Sequence, residues 1–180
     1  CLVGSEMCIR DRISPKGKIV KETCILPKGV KDGGFAFMRN ARRLDNGHFL
    51  VAHYGDQCVK EYDANGKVVW KLDVPGGPHS LTRLPNGHTL IAVADKDQNP
   101  RLIEVTPEGK TIWEISNADI PGKPLKFLGG FQYFSDGRFL ITNWTGHVNP
   151  KEKVHLLLVD RQKNAVSYTH LRAHETRGNL

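Results

Sequence analysis

Chemistry in this chain would rest on a few histidines and arginines set beside turn residues. His79 ends the run Pro75-Gly76-Gly77-Pro78 and opens a β-type stretch. A neutral imidazole there can serve as base, acid or ligand near physiological pH, so His79 is the candidate catalytic residue; a structural histidine hydrogen-bonded at a strand start is the plainer alternative. Arg39, Asn40, Arg42 and Arg43 crowd one short segment. An arginine at a cavity mouth can clamp a carboxylate, sulfate or phosphate through two parallel hydrogen bonds; pairing with Glu61 or Asp63 is the competing use. Tyr54, Trp144 and the pair Phe131/Tyr133 offer flat rings, either for stacking a planar ligand or for packing between layers. Asn143 begins Asn143-Trp144-Thr145, an N-glycosylation triplet, and His147 lies in the loop Thr145 to Lys153. His53 ends an apolar stretch, whereas His48 and His88 each follow an Asn-Gly turn and are expected to face solvent. Asp95-Lys96-Asp97-Gln98-Asn99 alternates oxygen ligands as a calcium loop does. Glycine at the sixth position and an acid at the twelfth are needed as well. Pro100 and Thr106 stand there, so no metal site is expected.

Repetition shows which elements must carry these residues. Glu61 to Leu72, EYDANGKVVWKL, recurs as VTPEGKTIWEI from Val105 to Ile115. A second word, RRLDNGHFLVAHY from Arg42 to Tyr54, recurs as TRLPNGHTLIAVA from Thr82 and more loosely as QYFSDGRFLITNW from Gln132. The turn glycines Gly47, Gly87 and Gly137 are about 40 to 50 residues apart, as are Gly17, Gly66 and Gly109. A period in the forties with four strands per unit is the signature of a propeller blade. In one unit, Ser80 to Leu84, Thr89 to Ala94, Arg101 to Thr106 and Lys110 to Ile115 read as strands separated by tight turns or polar loops. Thr89 to Ala94, TLIAVA, is apolar at every alternate position on both faces, which suits a sheet covered on both sides. Helical periodicity is absent. The fold class is therefore all-β: a partial β-propeller of four-stranded antiparallel blades, about three blades plus a leading strand at Lys18 to Thr23.

The ends share neither period nor alternation. CLVGSEMCIRDR and VSYTHLRAHETRGNL resemble translated sequencing-adapter runs from assembled metagenomic reads. Residues 1–12 and 166–180 are accordingly expected to be artefactual or disordered. Residues 13–165 are expected to form an incomplete propeller domain whose missing blades belong to the same chain. Four to eight blades close a ring, so a cut array exposes apolar faces at both ends. The net charge of +7 over 180 residues is spread through turns, without the basic stripe and interleaved aromatics of a nucleic-acid surface. No apolar run reaches membrane-spanning length. Of four cysteines, Cys1 and Cys8 lie in the excluded head, and Cys24 and Cys58 alone do not fix the redox compartment. The turns between strands one–two and three–four lie at one end of such a ring and are tight. The longer loops, Val74 to His79, Asp95 to Pro100, Ser116 to Phe127 and Thr145 to Lys153, lie at the other, where ligand-binding residues are expected.

Gly66-Lys67-Val68-Val69-Trp70 and Gly109-Lys110-Thr111-Ile112-Trp113 resemble the end of the repeat in pyrroloquinoline-quinone-type (quinoprotein-like) propellers, where the tryptophan docks one blade on the next. Gly17-Lys18-Ile19-Val20-Lys21 lacks that tryptophan. No stretch resembles the calcium, quinone and catalytic-aspartate constellation of the quinoprotein dehydrogenases, so neither pyrroloquinoline quinone nor calcium is expected. The resemblance favours a periplasmic or extracellular location. Pro78-His79-Ser80-Leu81-Thr82-Arg83-Leu84-Pro85-Asn86-Gly87-His88 is also similar to the catalytic strand of bacterial arylsulfotransferases, with His79 at the histidine that accepts the sulfuryl group and arginines to stabilise its charge. Ser80, Pro78 and His88 depart from that pattern, replacing an Asp, a His and an Asn. The leading expectation is a non-catalytic scaffold binding a small molecule or a protein at the loop-rich face, with Arg39, Asn40, Arg43, Tyr54, Asn143, Trp144 and His147 as candidate contacts. The alternative is a sulfuryl-transferring enzyme built on His79.

Overall fold

A computed structural model describes residues 12–21, 37–94, 99–122, 125–145 and 154–169. Its strands are β1 (Arg12–Ile13), β2 (Ile19–Lys21), β3 (Asn40–Arg43), β4 (Phe49–His53), β5 (Cys58–Tyr62), β6 (Val68–Asp73), β7 (Gly77–Arg83), β8 (Thr89–Ala94), β9 (Arg101–Val105), β10 (Thr111–Ile115), β11 (Leu128–Tyr133), β12 (Phe139–Asn143), β13 (Leu156–Val159) and β14 (Ala165–Thr169). They pair antiparallel in chain order into three four-stranded sheets, β3 to β6, β7 to β10 and β11 to β14, and a two-stranded β1–β2 ribbon. This is a partial β-propeller with three blades. No helix forms among the described residues, hence none long and apolar enough to cross a membrane.

The recurring glycines have a common structural cause. Among the described residues, seven hairpin turns close with the same two backbone bonds, as where Leu44 N–H donates to His48 O and Gly47 N–H to Leu44 O. The residue before the last must take a left-handed conformation, which glycine adopts without steric cost. Gly47 sits at φ 86° and Gly137 at φ 88°. In the turn between β13 and β14 the place is taken by Lys163 at φ 70°, so this turn carries no glycine mark. Residues beyond Ala165 were set aside on sequence grounds, yet Ala165–Thr169 completes the third blade as β14, with Leu157 opposite Tyr168. All five of its residues are exposed, in keeping with their lack of alternation. Of the expected leading strand Lys18 to Thr23, Ile19–Lys21 is paired as β2, and Glu22 and Thr23 lie outside the described residues.

Stacked blades bury both faces of the middle strands. On β8, Leu90 and Ala92 enter the core shared with the third blade, while Ile91 and Val93 enter the core shared with the first. All six residues of β8 are buried, as the doubly apolar TLIAVA pattern requires. Full burial of a Leu or Ile contributes about 1.5–3 kcal/mol each, so these two cores are what hold the blades together.

The tryptophans then latch each blade to the next. Trp70 Nε1–H donates to Pro107 O at 2.8 Å, and Trp113 Nε1–H to Arg161 O at 3.0 Å. Beside each ring lies a carboxylate shared between blades. Glu61 Oε1 takes His48 Nδ1 at 2.8 Å, and its Oε2 accepts from Arg83 of the next blade at 2.7 Å. Glu104 takes His88 Nδ1 at 2.8 Å and Arg161 of the following blade. Arg83 covers the Trp70 ring at 4.8 Å, and Arg161 the Trp113 ring at 5.4 Å. This corrects two expectations. His48 and His88 are half-buried partners of acids, not solvent-facing side chains. Glu61 pairs with Arg83 rather than with the arginines of β3.

Candidate functional site

The crossover Val74 to His79 brings His79 to the innermost strand β7 at the loop-rich end. Its Nδ1 lies 2.6 Å from Gly129 O on β11, the innermost strand of the next blade. A carbonyl oxygen only accepts, so Nδ1 carries the hydrogen and the neutral ring's lone pair resides on Nε2. Among the described residues Nε2 has no hydrogen-bond partner. Burial pushes the imidazole pKa below its ordinary value; the Gly129 bond acts upward and the nearby Arg39 charge downward. The site therefore favours a neutral His79.

Aromatic rings enclose it. Tyr54, from the turn after β4, meets His79 edge-on at 6.3 Å, and Phe127 meets it edge-on at 5.1 Å. Tyr54 and Phe127 lie 6.4 Å apart, and Phe127 contacts Trp144 at 5.7 Å. Trp144 is 53% exposed and forms the rim. The Arg39 guanidinium covers the Tyr54 ring at 4.9 Å. Tyr54 reaches this place because Gly77 has no Cβ: one built there would fall 2.4–2.9 Å from the Tyr54 ring.

Asn143 ties the wall of the site together. Its Oδ1 accepts from Lys126 N and Phe127 N at 2.8 and 3.2 Å, and its Nδ2 donates to Val154 O at 2.8 Å. Trp144 N–H donates to Phe127 O at 2.8 Å. Two loops are thereby held to one buried amide, and Phe127 is fixed against His79.

The structure thus gathers His79, Arg39, Tyr54 and Trp144. Asn40 stands next to Arg39 at the start of β3, with a buried Oδ1 that has no partner among the described residues. Arg43, at the far end of the same strand, is carried to the tight-turn end of the blades, where it stands beside Gly47. Its expected place at the site is corrected: a four-residue strand puts its two ends at opposite rims. His147 lies outside the described residues, as does Asp95 to Gln98. Phe131 and Tyr133 belong to the packing between the second and third blades. His53 packs on Phe37 and accepts or donates at Tyr62 Oη, 2.9 Å away, apart from the site. Sequence reasoning missed Phe127 and Gly129. Only the length of the Ser116 to Phe127 crossover pointed toward them.

No family model and no curated protein sequence matches the chain. Solved structures do resemble it. A protein of unknown function from Bacteroides caccae superimposes with TM-score 0.75 at 22% identity, covering 89% of this chain and 58% of that one. A streptogramin B lyase matches with TM-score 0.60 at 14% identity over 93% of this chain and 49% of its own. The virginiamycin B lyase of Staphylococcus aureus matches with TM-score 0.55 at 15% identity over 93% and 50%. This chain spans about half to three fifths of the length of these proteins. At such identities the likeness shows the propeller fold alone.

Proposed function

We propose that this chain is part of a ligand-binding propeller whose site, at the loop-rich mouth, takes a planar anionic small molecule. The observation that supports this reading most is the convergence of Tyr54, Phe127 and Trp144 around His79 with the Arg39 guanidinium alongside. Flat apolar walls with a few placed polar groups are the usual make-up of such sites. Ring faces would stack the ligand body, Arg39 would meet its anionic group, and His79 Nε2 would accept a hydrogen bond from it. Export to the periplasm or beyond, implied by the quinoprotein-like repeat, belongs to the same proposal.

Titrating the protein with a naphthalene carboxylate or sulfonate, followed by Trp144 fluorescence and calorimetry, tests the reading. Binding that weakens in Arg39→Ala, and that is lost for the uncharged naphthalene amide, is expected. Equal affinity for charged and uncharged ligands would refute the anionic assignment.

One observation keeps the enzyme alternative in view. His79 presents Nε2, with its lone pair, from a ring pinned through Nδ1, as a histidine accepting a sulfuryl group would. Arg43 lies at the opposite end and supplies none of the charge stabilisation that arylsulfotransferase chemistry requires. Sulfuryl transfer from 4-nitrophenyl sulfate to a phenol, abolished in His79→Ala, would replace the binding reading; no turnover with intact binding retains it.

A further inference from the structure

The two blade junctions, built from the same repeat, are filled differently at the tight-turn end. At the second junction Trp113 stacks on Phe139 at 5.0 Å and 21°, Tyr133 packs on Phe139 at 5.2 Å, and Arg161 bridges all three rings. At the first junction the corresponding positions are Arg83, where Tyr133 stands, and Thr89, where Phe139 stands. Thr89 lacks a ring and Arg83 is drawn to Glu61. A groove of about 650 Å³ opens beside Trp70, bordered by Arg83, Leu84 and Pro107 of the second blade, within the ~300–1,000 Å³ usual for small-molecule sites. It lies at the opposite end of the blades from His79, where no ligand site was expected.

The polar groups in this groove are largely spent. Glu61 uses both oxygens on His48 and Arg83, and Trp70 Nε1 is held by Pro107. Arg83 donates to Gly87 O, Thr89 Oγ1 and Glu61. Two exposed charges of opposite sign remain on the rim, Arg43 and Asp45. The walls are Trp70, Leu84, Pro85 and Pro107.

We propose that this groove is a second binding site, selective for an aromatic zwitterion of the α-amino acid class. The ligand ring lies against the wall of Trp70, Leu84, Pro85 and Pro107, its carboxylate meets Arg43, and its ammonium meets Asp45. The apolar wall recognises the ring, and the paired rim charges recognise the backbone groups.

The test uses the full chain, the indole N–H resonances of Trp70, Trp113 and Trp144, and three probes: phenylalanine, phenylacetate and phenethylamine. Phenylalanine is expected to shift the Trp70 resonance saturably and to bind more tightly than either single-charge analogue. Arg43→Ala and Asp45→Asn should each weaken it by up to about fivefold, the most a solvent-screened ion pair contributes. Both residues are exposed, so the fold stays intact. Arg39→Ala, at the other end, should leave this binding unchanged. A Trp70 resonance unmoved by millimolar phenylalanine overturns the proposal. So does phenylacetate or phenethylamine binding as well as phenylalanine, or an affinity indifferent to both rim variants.

Discussion

Glu104 sets the sharpest test of how these blades are joined. Its carboxylate is 3% exposed, takes His88 from its own blade and Arg161 from the next, and stands beside the stacked Trp113 and Phe139. Replacing it with leucine removes the acceptor and leaves two donors facing a hydrocarbon side chain. Breaking a buried pair from one side costs about 3–5 kcal/mol. Arg161 and His88 keep side-chain exposures of 30% and 25%, so both regain some hydration and the expected cost of Glu104→Leu falls near the lower bound, about 3 kcal/mol. The third blade already carries this substitution: Leu158 stands where Glu61 and Glu104 stand, and Arg138 replaces the histidine and turns to Asp136. Leucine is therefore compatible with the strand, and any loss reports the clasp. Urea unfolding followed by circular dichroism should show a lower midpoint at unchanged slope. A cycle with Arg161→Leu should give a coupling of about 1–3 kcal/mol, because the second substitution removes the stranded charge. Additivity within about 0.3 kcal/mol, or a Glu104→Leu protein as stable as the parent, would refute the reasoning.

Other perturbations bear on separate links. His53 is fully buried, and desolvation lowers its pKa from 6.5 to about 4, with Lys60 acting in the same direction and Asp56 against it. The unfolded chain then takes up the proton first, so this contribution to stability is complete above pH 6.5 and is lost as pH falls from 6.5 toward 4, by up to about 3 kcal/mol. His53→Phe should flatten the stability–pH curve over that window in urea titrations at fixed ionic strength. Gly77→Ala should push Tyr54 off its seat, costing about 1–3 kcal/mol as overpacking does, and weaken anion binding at the His79 site in calorimetry. Trp70→Phe keeps a ring but loses the bond to Pro107, and thermal unfolding should register about 1 kcal/mol.

How much of this was legible in the sequence depends on whether a feature repeats. Turn glycines recur because a left-handed residue closes each hairpin, and TLIAVA reads as doubly covered because blades lie on both sides of β8. Where the repeat lapses, the reading lapsed with it: Lys163 holds the left-handed place without being glycine, and β14 went unread. The clasps were written in the sequence too, as Asn-Gly-His followed by a glutamate on the third strand. Their meaning needs the register that sets Leu50 opposite Glu61 and Leu90 opposite Glu104, and the next blade's arginine comes from β7 in one case and from the turn after β13 in the other. No single-sequence spacing exposes that exchange.

The site was legible only where the frame determines direction. His79 and Arg39 lie at strand starts, so the blade's own meander assigns them to the loop-rich end, while Arg43 follows the strand to the other. Phe127 arrives from an aperiodic crossover and is placed by Asn143, whose one buried amide ties two loops together. A ring held in this way depends on hydrogen bonds formed far apart in the chain, and such closure leaves no local pattern to read. The same logic explains why the His79 cluster and the groove beside Trp70 both sit where the repeat departs from itself. Identical junctions would pack identically; the first junction carries Arg83 and Thr89 where the second carries Tyr133 and Phe139, and the groove beside Trp70 lies at the first. In a propeller the repeated residues make the frame, and the exceptions make the places where another molecule can enter.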